Sequence, residues 1–191
     1  MHIFNKIIEI FLSLQIIIIS TFIPAFISIP FTNKYLQTFD IPISWQIPSI
    51  ILITLIFKGD VVLIAFSLYL LIGLFFLPVF QNGGSIGYLL TPNFGYLLGI
   101  YPLIKIIDKL NKLNHLISYY DLLRYGILGI SSMHIIGILY CCIQIIYFKQ
   151  SDILIYNISR YSLGKIGYHL LMLTPITLLL KLINNKNKSK V

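Results

Sequence analysis

The chain has 191 residues, of which 58% are hydrophobic and only 10% charged, with a formal net charge of +8. A soluble domain carries about 25% charged residues, so the solvent this composition suits is lipid, and the length suits one membrane domain over 1–191. The positive charge is not arranged as a basic stripe interleaved with aromatics, which excludes nucleic acid as a partner and suggests basic loops facing an anionic leaflet.

A bilayer-spanning helix needs roughly 20 apolar residues, and six candidates follow along the chain. The first is 7–26, read as an uncleaved anchor because few residues precede its apolar core and no A-x-A site follows. Residues 28–46 read as a proline-punctuated loop. Helices are expected at 48–57 and 61–77, separated by the polar stop Lys58-Gly59-Asp60. A stretch rich in glycine and amides, 81–91, leads to a fourth helix at 92–107. A charged loop, a fifth helix at 122–147 and a sixth at 166–183 complete an all-α six-helix membrane bundle, followed by a polar tail at 184–191 with a disordered composition.

Counting cations sets the orientation. With the N-terminus in the cytoplasm, about ten Lys and Arg fall inside and four outside, so both termini are expected to be cytoplasmic. The segments 28–46 and 81–91 then share the outer face.

Enzyme chemistry finds no support. His134 and His169 sit singly on separate helices without metal-ligand spacing, and read as helix-contact residues. Cys141 and Cys142 are adjacent and make neither a disulfide framework nor a CxxC pair. Gly129 to His134 does not satisfy G-x-S-x-G, and no Walker A sequence occurs. No acidic ring motif suggests a channel. What remains is a binder or carrier of a small solute, with no cofactor or metal of its own.

The candidate site is the interrupted stretch. Thr91 is a favoured N-cap and Pro92 a favoured first helical residue, so a helix should open there with free N–H groups. Gly83 and Gly84 permit tight turns and close approach to the main chain. Asn82 and Asn93 supply amide donors and acceptors, while Tyr88 and Tyr96 supply flat apolar faces with a polar tip.

The run from Ser67 to Gly99 resembles the BioY family, the biotin-binding S components of energy-coupling-factor transporters. The resemblance rests on Leu77-Pro78-Val79-Phe80, Gly83-Gly84 and Gly95-Tyr96-Leu97-Leu98-Gly99, with Ile41-Pro42-Ile43-Ser44-Trp45-Gln46 similar to the family's VPITLQ. It implies a six-helix bundle capturing biotin from the outer face, Asn93 and Asn82 near the ureido ring, and Tyr88, Tyr96 and Trp45 against the thiophane ring and valeryl chain. Gln46, Gly83, Gly84, Thr91 and Pro92 complete the implied rim. It also implies partners, a coupling transmembrane subunit and ATPase subunits, and a bacterial plasma membrane or plastid inner membrane. Two departures stand out. The family's GPTGG is Thr91-Pro92-Asn93-Phe94-Gly95 here. Its Pro-Gly-Asp-x-x-Lys, whose Asp and Lys are associated with the ligand, reduces to Pro175-Ile176-Thr177 with Lys181 one place late. Thr177 is the candidate contact in that helix. The missing Asp leaves an S component for another small vitamin as an alternative, beside a structural membrane subunit with no ligand.

Overall fold

The structure, a computed structural model, describes residues 2–30, 36–113, 118–148 and 152–176. The chain is mostly helical. The first helix, α1 (His2–Phe22), leads into an antiparallel hairpin of β1 (Pro24–Pro30) and β2 (Leu36–Ser44). There follow α2 (Gln46–Ile56), α3 (Gly59–Phe75), a 3-10 turn (Ile86–Leu90), α4 (Pro92–Leu98) and α5 (Ile100–Leu113). The long α6 (Tyr119–Phe148), α7 (Asp152–Ile158), a π-helical turn (Ser159–Leu163) and α8 (Gly164–Leu171) complete the order.

Among the described residues, two helices, over Ile3–Phe22 and Tyr119–Ile146, are long and apolar enough to cross a membrane, while Gln46–Ile56 and Gly59–Phe75 are apolar but shorter. The common core is built from Ile17 of α1, Ile50 and Ile53 of α2, Phe66 and Tyr69 of α3, and Leu103, Ile104 and Ile107 of α5, all essentially inaccessible. The outward faces of α1 and α6 carry exposed Phe4, Phe11, Ile19, Leu139 and Ile143, the surface expected against hydrocarbon rather than water.

Three features differ from the sequence reading, each for a physical reason. The segment 28–46, expected as a loop, is largely the hairpin. Ile41 and Ile43 are buried while Asp40 is exposed, the period-2 alternation of a strand with one covered face. Next, the expected helix 92–107 is divided at Gly99 between α4 and α5. Pro102 lacks the N–H that would bond the Leu98 carbonyl, and its ring crowds that carbonyl, so the helix is interrupted one turn earlier. Finally, the segment ahead of the expected sixth helix, read as connection, contains α7 and the π-helical turn, and α8 starts at Gly164. The tail 184–191 and the end of the expected helix 166–183 lie outside the described residues.

The break between α2 and α3 is held from a distance. Phe57 and Lys58 are extended, which leaves the first N–H groups of α3 without helical partners. Asp108 of α5 accepts from the Gly59 N–H at 2.8 Å, and its other oxygen meets Lys112 Nζ at 2.6 Å. A carboxylate at a helix N-terminus is favoured by the helix dipole. The polar stop Lys58-Gly59-Asp60 is therefore also a docking point for α5.

Candidate functional site

The far end of α3 leads into the interrupted stretch. Phe80 and Gly83 exchange both backbone hydrogen bonds, at 2.9 and 3.0 Å, so Gln81 and Asn82 form the tip of a two-residue turn. Gly83 has φ +113°, a conformation open to glycine at no steric cost. A Cβ on Gly84 would lie 2.6 Å from the Gly73 carbonyl oxygen and 2.7 Å from Pro78 Cα, so the backbone passes too closely for any side chain. These two glycines shape the turn and do not line the cavity beside it. Thr91 takes the N-cap position with extended backbone and Pro92 the first helical position, but the Thr91 hydroxyl turns back to the Tyr88 carbonyl at 2.8 Å instead of capping α4.

The cavity is about 80 Å³ and is bounded by the hairpin end, the turn, α3, α4, α6 and the π-helical turn with α8. From one side come Ile43, Ser44 and Gln46; from another Tyr69, Phe80 and Gln81; α4 and the turn before it add Tyr88, Asn93 and Tyr96. Met133 of α6 closes a wall, and Tyr161, Lys165 and His169 come from the π-helical turn and α8, which packs against β2. Among the described residues, no acidic side chain is a lining group. The two irregular segments of the sequence thus meet at one end of the bundle.

Of the residues the sequence proposes, Gln46, Tyr88, Asn93 and Tyr96 converge on this space. Trp45 does not. It occupies the N-cap position of α2, one residue before Gln46, and lies against Ile16, Ile19 and Ile23 in a separate apolar groove. Consecutive residues at a helix start point about 100° apart, so Gln46 facing the cavity turns Trp45 away from it. Asn82 is exposed at the turn tip, and its neighbour Gln81 faces the cavity instead. Gly83, Gly84, Thr91 and Pro92 belong to the turn and the start of α4 and are not among the lining residues. Thr177 lies outside the described residues.

Aromatic contacts organise the wall. The Tyr69 ring meets Phe80 edge-on at 5.3 Å between centroids, and Phe80 lies 4.5 Å from Tyr88. The Tyr69 hydroxyl neighbours the Gln46 side chain and lies 3.4 Å from Thr21 Oγ1, tying α1 to the site. The Tyr88 hydroxyl neighbours Asn93. Tyr140 of α6 donates to the Leu89 carbonyl and its ring meets Phe94, which fastens α6 to the 3-10 turn and α4. Among the described residues, Gln46 Nε2 and the Tyr96 hydroxyl are buried lining atoms that lack a well-formed hydrogen bond, although Tyr69 neighbours the first and Ser162 and Cys141 the second. A buried unpaired donor costs about 1–3 kcal/mol, and such groups at a cavity are where a polar ligand gains most.

The sequence reading misses Lys165, Tyr161 and His169, and separates two histidines that in fact touch. His134 Nε2 lies 3.2 Å from His169 Nδ1, and Ser162 Oγ lies 2.9 Å from His134 Nδ1. Tyr96 packs edge-on against the His134 ring. The residues are 35 apart in the chain, so no local spacing signals the pair. Among the described residues there is no cluster of three or more metal-ligating side chains.

Set against known proteins, the chain matches a family model described as the BioY family over residues 5–178. Among solved structures, its fold is similar to that of the S-component for biotin from an ECF-type ABC transporter. The TM-score is 0.61 at 19% identity, with 94% of this chain and 93% of that one covered. A search of curated proteins finds no match.

Proposed function

Because this chain belongs to the BioY family, a family of multi-pass membrane proteins, we propose that it captures biotin as the substrate-binding subunit of a vitamin transporter. The observation that carries the reading is the cavity itself. Aliphatic and aromatic faces share its wall about equally with polar groups, and Gln46, Asn93, Gln81 and the tyrosine hydroxyls converge on one small space. That is the form of a site for a compact bicyclic molecule with a polar edge. The unpaired Gln46 amide and Tyr96 hydroxyl suit an acceptor such as a ureido or carboxylate oxygen.

Tight binding follows only with nearly complete enclosure. A nanomolar complex requires about 12 kcal/mol, and biotin has few heavy atoms from which to draw it. The cavity is smaller than small-molecule pockets of roughly 300–1,000 Å³, so binding would displace wall side chains or the hairpin outward. The hairpin, whose Ile43 and Ser44 already border the space, is the candidate lid. Energy for release across the membrane would come from a coupling transmembrane subunit and ATPase subunits, since the sequence offers no nucleotide motif. The membrane would be a bacterial plasma membrane or a plastid inner membrane, with both termini on the inner side.

Equilibrium binding of radiolabelled biotin to the purified full-length protein tests this. The expected result is saturable binding, displaced by unlabelled biotin and not by riboflavin or thiamine, and weakened at least roughly tenfold by Asn93→Ala, about 1.4 kcal/mol. Displacement by another vitamin would transfer the site to that ligand, and no binding by well-folded protein would refute the reading.

A further inference from the structure

One wall of the cavity carries a positive charge that no described acidic side chain answers. Lys165 is half-buried in that wall, and among the described residues no acidic side chain lines the space. An ion pair of the described residues, Lys112 with Asp108, lies at the opposite end of α3. The neighbours of Lys165 reinforce its sign. Its ammonium lies 5.5 Å from the centre of the Tyr161 ring, and Arg160 lies over the same ring at 5.8 Å. A charge held in a membrane protein away from bulk water is costly unless paired, so a half-buried ammonium on a cavity wall favours an anion beside it.

His169 follows Lys165 by four residues, so both side chains share one face of α8. The histidine ring is fixed from behind. Its Nδ1 is engaged by His134 Nε2, which leaves Nε2 as the ring nitrogen available to the cavity. The direction of the relay is set by tautomers. If the Ser162 hydroxyl donates to His134 Nδ1, then His134 Nε2–H donates to His169 Nδ1, and His169 presents an N–H donor. Reversal of both bonds would present an acceptor instead. A ligand oxygen carrying negative charge selects the donor arrangement.

We infer that Lys165 and His169 form a carboxylate subsite, which makes the protein selective for a ligand bearing a free acid over its neutral derivatives. The subsite rests on the proposed biotin function and gives the valeryl carboxylate its place. The amide and tyrosine side of the cavity is left to the uncharged ring system. The Ser162–His134 relay positions His169 and need not touch ligand.

The test compares biotin with its neutral carboxamide, biotinamide, on the purified full-length protein. Wild type should bind biotin at least tenfold more tightly than biotinamide. Lys165→Met should reduce biotin affinity at least tenfold, leave biotinamide affinity within about threefold, and so abolish the preference; Lys165→Arg should retain it. Retained biotinamide binding also certifies that the Lys165→Met site is folded. In ¹⁵N spectra of histidine-labelled protein, biotin should fix His169 in the Nε2–H form, and His134→Phe should remove that signature. If Lys165→Met prefers biotin over biotinamide as strongly as wild type does, the subsite is overturned while the biotin function stands. If folded wild type binds neither compound, the function and the subsite fall together.

Discussion

At the scale of single residues, Tyr96 shows how binding and stability pull apart. Its ring packs against His134, yet its buried hydroxyl lacks a well-formed hydrogen bond, with Ser162 and Cys141 as its polar neighbours. Leaving such a group unpaired costs about 1–3 kcal/mol, and removing it while keeping the ring relieves that cost. Tyr96→Phe is therefore expected to raise the melting temperature of the ligand-free protein and to shrink the additional stabilisation that biotin confers. Thermal unfolding in detergent with and without saturating biotin reads both effects. A variant less stable than wild type when empty would mean that the hydroxyl already has a partner. Residues of this kind were only partly legible. Gln46, Tyr88, Asn93 and Tyr96 lie within or next to turn signals, where local chemistry marks them. Lys165 and His169 sit in an ordinary apolar helix, and their place depends on packing against α6 and the hairpin, which no short window of sequence encodes.

At the scale of elements, the informative places are where helices stop. The α2–α3 break is visible in the sequence as Lys58-Gly59-Asp60, but its partner Asp108 is 49 residues away and reads locally as one charge of a cytoplasmic loop. That carboxylate joins three positions: the first N–H of α3, the body of α5, and Lys112 one turn further on. Exposed Lys112 adds little, whereas the bond to Gly59 is buried and charge-assisted. Asp108→Ala should therefore destabilise the protein by about 2 kcal/mol, in the range of lost N-caps and lost hydrogen bonds to charged groups. Lys112→Ala should change stability by less than about 0.5 kcal/mol. Denaturation in mixed micelles distinguishes them, and equal effects would place the weight on the ion pair instead. The hairpin was hidden for a different reason. Its strands are punctuated by Pro24, Pro30 and Pro42, residues that argue against regular structure, and the alternation of Ile41 and Ile43 with polar neighbours is short.

At the scale of the whole molecule, the bundle has two unlike ends. At one, the hairpin stem and the Phe80–Gly83 turn surround the cavity. At the other, Asp108, Lys112 and the start of α3 form a charged junction. Helix α3 runs between them, with Gly59 at the junction and Tyr69 and Phe80 at or beyond its cavity half. Lys105, Lys109, Lys112 and Arg124 belong to the junction end by sequence, so in the orientation proposed from the positive-inside rule that end would face inward and the cavity outward. Lys165 is the cation this counting handles worst: it adds to the outer tally as though in a loop, but it is half-buried in the cavity wall and contributes little to leaflet preference. Moving it out of the count strengthens the same orientation. In intact cells or right-side-out vesicles, a membrane-impermeant maleimide should label Asp40→Cys, at an exposed hairpin position, without permeabilisation. Lys112→Cys should label only after the membrane is opened, in a background where Cys141 and Cys142 are replaced by alanine. The reverse pattern would put the cavity on the inner face, where a capture subunit for uptake has no solute to meet, and would turn the protein from an importer's receptor into a binder of internal ligand.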